Sequence, residues 1–110
     1  MLDIHAAGYL TQDPEQKQIS DERVVTNLKL LVNKKIKGEE IVSSVNCSIW
    51  GAKGNAAMAY LKKGDQVTVS GWGYIRPYLR QNGEPGASIE LSVSDYVLPP
   101  KPKTQSDMPF

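Results

Sequence analysis

Apolar and polar residues alternate with a period of two over most of the chain, as in strands that lay one face on a core. The pattern predicts strands near Leu2–Leu10, Arg23–Asn33, Ile41–Trp50, Gln66–Tyr78 and Ala87–Leu98. Between the first two, Thr11-Gln12-Asp13-Pro14 reads as a turn, because proline after aspartate favours one. Lys34-Lys35-Ile36-Lys37-Gly38-Glu39-Glu40 reads as a charged loop, and Gln81-Asn82-Gly83-Glu84-Pro85-Gly86 carries an Asn-Gly pair, a hairpin signal. Gly51–Lys63 changes character: Ala52, Ala56, Ala57, Met58, Ala59 and Leu61 favour a helix, and Gly64 fits its C-terminal cap. Pro99–Phe110 has four prolines and little to bury, so it reads as an extended, mobile tail behind a folded domain over 1–98. The expected fold is all-β: a five-stranded Greek-key barrel of the OB type, with one short α-helix between strands three and four.

The two faces of the strands differ in chemistry. On the third, Ile41, Ser43, Val45, Cys47 and Ile49 share one parity and suit a core; Val42, Ser44, Asn46, Ser48 and Trp50 share the other. Cys47 reads as a small core hydrophobe. On the fourth, Val67, Val69, Gly71, Gly73 and Ile75 face one way; Thr68, Ser70, Trp72, Tyr74, Arg76, Tyr78 and Arg80 face the other. Pro77 points to an edge or to the end of pairing. The second face is a row of rings and cations spaced about 7 Å apart. Such a row suits single-stranded nucleic acid, since any unpaired base can stack on a ring and each phosphate can meet a cation. Two roles fit Trp72 and Tyr74: contact with bases, or packing under a loop or in a subunit interface. The neighbouring Gly71 and Gly73 lean towards the second, because glycine in a strand marks a close approach to the backbone.

Composition narrows the class. With 110 residues, 40% hydrophobic and 23% charged, the chain is one globular domain's worth. No apolar run approaches the ~20 residues of a membrane span, and Met1-Leu2-Asp3-Ile4-His5 does not open a signal peptide, so a cytoplasmic location with no membrane partner is expected. One cysteine and one histidine exclude an internal disulfide and a multi-cysteine zinc site. His5 is assigned no role. With no paired-carboxylate motif, Gly-rich phosphate loop or nucleophile–base pair, the expectation is a non-enzyme with no cofactor and no metal. The net charge of +1 conceals an uneven distribution: residues 1–28 carry −3, residues 29–80 carry +6 and residues 81–110 carry −2. The middle of the chain is the anion-facing candidate. Lys34, Lys35 and Lys37 fit a basic hairpin that wraps over a strand of nucleic acid, or an ordinary solvated loop. Lys62 and Lys63 read as favourable charges at the helix C-terminus.

Several stretches resemble the bacterial single-stranded-DNA-binding protein family, SSB. Gly8-Tyr9-Leu10-Thr11-Gln12-Asp13-Pro14-Glu15 is similar to its "GxLxxDPE" opening, and Asn27-Leu28-Lys29-Leu30 to its second-strand motif. Trp50-Gly51-Ala52-Lys53 resembles its "FGK"-like strand exit, and Ala59-Tyr60-Leu61-Lys62-Lys63-Gly64-Asp65-Gln66-Val67 resembles "EYLRKGxxV". Gly71 falls on the glycine of its next strand, and Asp107-Met108-Pro109-Phe110 resembles its acidic tip closing in Pro-Phe. The resemblance implies base-stacking roles for Trp50 and Tyr78. Two further family tryptophans fall near Ile36 and Ser44, and Trp72 and Tyr74 are placed to compensate. It implies sequence-independent binding of single-stranded DNA in replication, recombination and repair by a homotetramer, with a dimer as the alternative. It also implies recruitment of replication and repair proteins through Asp107, Met108, Pro109 and Phe110. A replisome or primosome interaction module with weak DNA affinity, and an RNA-binding OB domain, are the competing readings.

Overall fold

A computed structural model describes residues 1–98. The tail from Pro99 and the tip Asp107–Phe110 lie outside the described residues. The elements are β1 (Asp3–Leu10), β2 (Glu15–Ser20), β3 (Arg23–Ile36), β4 (Glu39–Trp50), a 3-10 turn (Gly51–Lys53), α1 (Gly54–Tyr60), β5 (Gln66–Leu79) and β6 (Pro85–Val97). The strands pair in the order β1-β5-β6-β4-β3-β2, and β1 also pairs with β3 through Tyr9↔Leu31 and Leu10↔Leu30, which closes the barrel. The β4–β6 pairing is parallel, from Val45↔Ile89 to Ser48↔Ser92. This is the expected OB-type barrel with its short helix before the fourth barrel strand.

The alternation fills the interior as read, except that Ile41 and Ile75, expected on the core-facing parity, are exposed. Leu28 and Leu30 of β3, Val45, Cys47 and Ile49 of β4, Val67 and Val69 of β5 and Leu91 of β6 are all buried. Helix α1 plugs one end with Ala57, and Leu61 follows it into the core. Gly54 lets the helix sit on β3: a Cβ there would meet Thr26 Oγ1 at 2.0 Å. Thr26 itself is fully buried and accepts a 3.2 Å hydrogen bond from Gln16 Nε2.

Three details differ from the sequence-based expectation. First, Glu15–Ser20 forms a sixth strand, paired with β3 and exposed at every residue. Second, Lys34, Lys35 and Ile36 belong to β3 rather than to a loop; only Lys37 and Gly38 turn, at φ 51° and 83°, the two left-handed residues of a tight hairpin. Third, the helix stops at Tyr60, and Leu61 is already extended. Lys62 and Lys63 therefore sit beyond it, their N–H groups donating to Asp65 Oδ2 and Asp13 Oδ1 at 2.9 and 2.8 Å. Gly64, at φ 92°, belongs to this turn instead of capping the helix. Of the two readings of Pro77 the edge holds: β5 runs on through it, and it faces Ala87. The β1 pairing ends at Trp72, so beyond it one edge of β5 has no neighbour and a missing donor is tolerated.

These extensions shape the molecule. The β1–β3 pairs end at Leu31 and the β4–β6 pairs begin at Val45 and Ile89. Beyond those points β3–β4 and β5–β6 continue as two-stranded arms, and because β4 and β6 are parallel, both arms leave the same end of the barrel.

Candidate nucleic-acid interface

The pairing registers place the site residues in rows across the outer face. Ser48 faces Ser92, and Ser92 faces Trp72. In the next row Lys29 faces Asn46, Asn46 faces Glu90 and Glu90 faces Tyr74. Trp50, two residues past Ser48 on β4, borders the first row. Trp50, Trp72 and Tyr74 thereby line one open cleft of about 350 Å³, with Ser48, Ser92 and Glu90 among its other walls. The rings are not shut away: Trp50 is 43% exposed, Trp72 48%, Tyr74 54% and Tyr78 43%.

Arg23, the first residue of β3, closes the cleft on the Trp50 side. Its guanidinium carbon lies 4.8 Å from the centroid of the Trp50 ring, a cation–π contact. The chain leaves Trp50 through Gly51 at φ 77°, a left-handed turn that favours glycine. The 3-10 turn that follows is tied to β6: Lys53 Nζ donates to the Ser94 carbonyl at 3.0 Å, and the Tyr96 hydroxyl donates to the Lys53 carbonyl. The ring is thus set on an anchored strand exit.

The close approach implied by Gly71 and Gly73 is supplied by β6 itself. A Cβ at Gly71 would lie 2.0 Å from the Ser92 carbonyl oxygen, and one at Gly73 would lie 2.3 Å from that of Glu90. The glycines are needed for strand packing on the inner side of β5, and Trp72 and Tyr74 stay open on the outer side.

Further along the same face of β5, Arg76 forms an ion pair with Glu90, Nη1 to Oε1 at 3.5 Å. Tyr78 lies against Gly86, where a Cβ would come within 2.8 Å of the ring and 3.0 Å of Arg80 Nε. Arg76, Tyr78 and Arg80 thus run from the cleft out along one arm. Lys34, Lys35 and Lys37 stand on the neighbouring arm, exposed, and outside the cleft. Sequence reasoning missed Arg23, Ser48, Glu90 and Ser92. Cys47 is buried beneath this face, and burial, with the Glu90 carboxylate adding to it, pushes its thiol up to about 12. Among the described residues no group of three or more His, Cys, Asp or Glu is placed to hold a metal ion.

A closed barrel with parallel third and fifth barrel strands, a helix plugging one end and an aromatic outer face defines an OB-fold protein. Comparison with known proteins then places it: the sequence profile of the single-strand binding protein family matches residues 1–98, and the chain belongs to that family. It is 32% identical over 96 residues to a single-stranded DNA-binding protein of Chlamydia pneumoniae, covering 87% of this chain and 60% of that protein. It is 33% identical over 93 residues to that of Chlamydia trachomatis serovar D, covering 84% and 59%. Single-stranded DNA-binding protein 1 of Lactococcus lactis is 29% identical over 101 residues, 89% of this chain and 67% of that protein. The chain spans about three fifths of the length of the chlamydial relatives it matches.

Proposed function

We infer that this protein binds single-stranded DNA by stacking unpaired bases on Trp50, Trp72, Tyr74 and Tyr78 while Arg23, Arg76 and Arg80 meet phosphates. The observation that carries this reading is the shared, solvent-open cleft of Trp50, Trp72 and Tyr74, continued by Arg76, Tyr78 and Arg80. Rings about half exposed on a rigid sheet offer flat faces that only unpaired bases can meet, so duplex DNA is a poor ligand. From Trp72 to Tyr78 the track runs roughly 20 Å along one strand. Family membership supports the same reading, as do the names of the relatives.

The finer reading is a non-catalytic, cytoplasmic protein that coats DNA in replication, recombination and repair. Among the described residues no helix is long and apolar enough to cross a membrane. Exposed Ile36, Ile41, Val42, Ile75 and Leu79 on the two arms favour contact with a second copy, hence a homotetramer or a dimer. The 99–110 tail is read as a separate recruiting segment, in which Asp107 and the Phe110 carboxylate meet a basic, apolar pocket on partner proteins.

The deciding experiment is a titration with dT oligomers of rising length, with mass followed by light scattering. Binding that weakens steeply with salt and that duplex of equal length does not match supports the reading. Micromolar concentrations of protein that leave oligo-dT free at low salt would overturn it in favour of a protein-interaction module.

A further inference from the structure

A carboxylate is out of place on a surface that meets a polyanion, yet Glu90 sits in the middle of this one. It stands at the centre of the row Asn46–Glu90–Tyr74 and lines the same cleft as Trp50, Trp72 and Tyr74. Its side chain is only 19% exposed, in a cleft that Ser48 and Ser92 also line. Its one ion pair among the described residues is with Arg76, whose side chain is 68% exposed, at 3.5 Å. That is well beyond the roughly 2.7–2.9 Å of a charge-assisted hydrogen bond, so Arg76 is a loose partner. A carboxylate has about four lone-pair sites, so one long contact to Arg76 leaves most of its accepting capacity unused.

A base stacked in this cleft has its edge beside an acceptor with spare capacity. At the exocyclic C4 position cytosine presents an amino group that donates to a carboxylate, whereas thymine presents the acceptor O4 and has its one donor, N3–H, further along the edge. We propose that Glu90 reads the base edge in the cleft and gives this protein a preference for cytosine over thymine, superimposed on binding that is otherwise indifferent to sequence. The proposal rests on the cleft holding unpaired bases. Arg76 fits the same scheme: a phosphate draws its guanidinium away, and the freed carboxylate oxygens turn to the base.

The test compares dC and dT oligomers of equal length on the intact chain and on Glu90→Gln, by tryptophan quenching at fixed salt. Glutamine keeps the shape and can either donate or accept, so it pairs with both bases. The dC-to-dT affinity ratio should fall by roughly fivefold or more in the variant, the low end of what one good base-edge contact contributes. A second arm needs no variant: dC oligomers dimethylated at N4 have no amino hydrogen to donate, and the unmodified protein should bind them less tightly than dC by a similar factor. An equal ratio in protein and variant, with N4 methylation neutral, would overturn the proposal even if both oligomers bind well. Failure of both oligomers to bind at low salt would instead overturn the stacking reading beneath it.

Discussion

The guanidinium of Arg23 lies over the indole of Trp50, 4.8 Å from the ring centroid. The two come from opposite ends of adjacent strands, Arg23 opening β3 and Trp50 closing β4. The cation covers part of the ring, and the indole stays 43% exposed. Such a contact contributes about 0.5–1 kcal/mol at an exposed site. Arg23→Ala should therefore weaken oligo-dT binding by about that amount and leave the melting temperature nearly unchanged. Tryptophan quenching titrations beside a thermal melt check this; full affinity in the variant would mean that Trp50 needs no positioning.

Trp72 and Ile49 separate binding from stability. Trp72 is half exposed on the outer face, whereas Ile49 is fully buried. Trp72→Ala should cost about 1–3 kcal/mol of affinity, the loss of one stacked base. Ile49→Ala should cost about 2–5 kcal/mol of folding stability through the cavity it leaves. Denaturant unfolding and oligo-dT titration on both variants distinguish the two effects, and a large stability loss in Trp72→Ala would show that its ring is structural.

Gly73 is needed for the sheet and not for the ligand. A Cβ there would lie 2.3 Å from the Glu90 carbonyl oxygen and 3.0 Å from Ile4 Cδ1. Because backbone must move to admit it, Gly73→Ala should destabilise by about 1–3 kcal/mol. Urea unfolding provides the measurement, and an unperturbed midpoint would mean that β5 and β6 separate without cost.

Burial gives Cys47 a pH dependence with a definite sign. Its thiol stands at about 12 in the folded chain against 9.0 unexposed to such burial, so the folded state resists ionisation. The associated stability is fully present below pH 9 and is lost as pH rises from 9 towards 12. The slope approaches about 1.4 kcal/mol per pH unit in that window. Cys47→Ala should remove that component, seen as a shallower fall in unfolding free energy between pH 9 and 11 than in the parent chain. A thiol reagent at pH 8 should leave the native chain unmodified and label it once unfolded.

How much of this was legible in the residues depended on whether a local period or a distant pairing set the outcome. The core strands were readable because Leu28/Leu30, Val45/Cys47/Ile49 and Val67/Val69 each alternate with exposed or part-buried neighbours. Glu15–Ser20 has one apolar residue, the exposed Ile19, and becomes a strand because β3 offers an edge to pair with. The rings of β5 were readable as a row, but their union with Trp50 was not. It arises from the parallel register of Ser48 with Ser92, which no spacing in the chain encodes. Glu90 and Ser92 enter the cleft through that same pairing. Arg23 left one trace, a cation directly after Asp21-Glu22 at the start of a strand. The helix looked longer than it is because Lys62 and Lys63 are good helix formers, yet their N–H groups are taken by Asp65 and Asp13.

The β3–β4 arm supplies the remaining test, because its lysines stand outside the aromatic cleft. Lys34 and Lys35 face Ile41 and Glu40 across the hairpin, and Lys37 occupies the left-handed turn position at φ 51°. If DNA runs from the cleft on to this arm, three phosphates meet three ammonium groups, and each released counterion contributes about 0.7 to the salt slope on a single strand. The combined variant Lys34→Gln, Lys35→Gln and Lys37→Asn removes the charges, and asparagine suits a left-handed turn. Its plot of log affinity against log salt should be shallower by about 2 than that of the parent chain, with the fluorescence change on stacking preserved. Parallel plots for the two proteins would show that the arm is merely solvated and that the DNA path ends along Arg76, Tyr78 and Arg80.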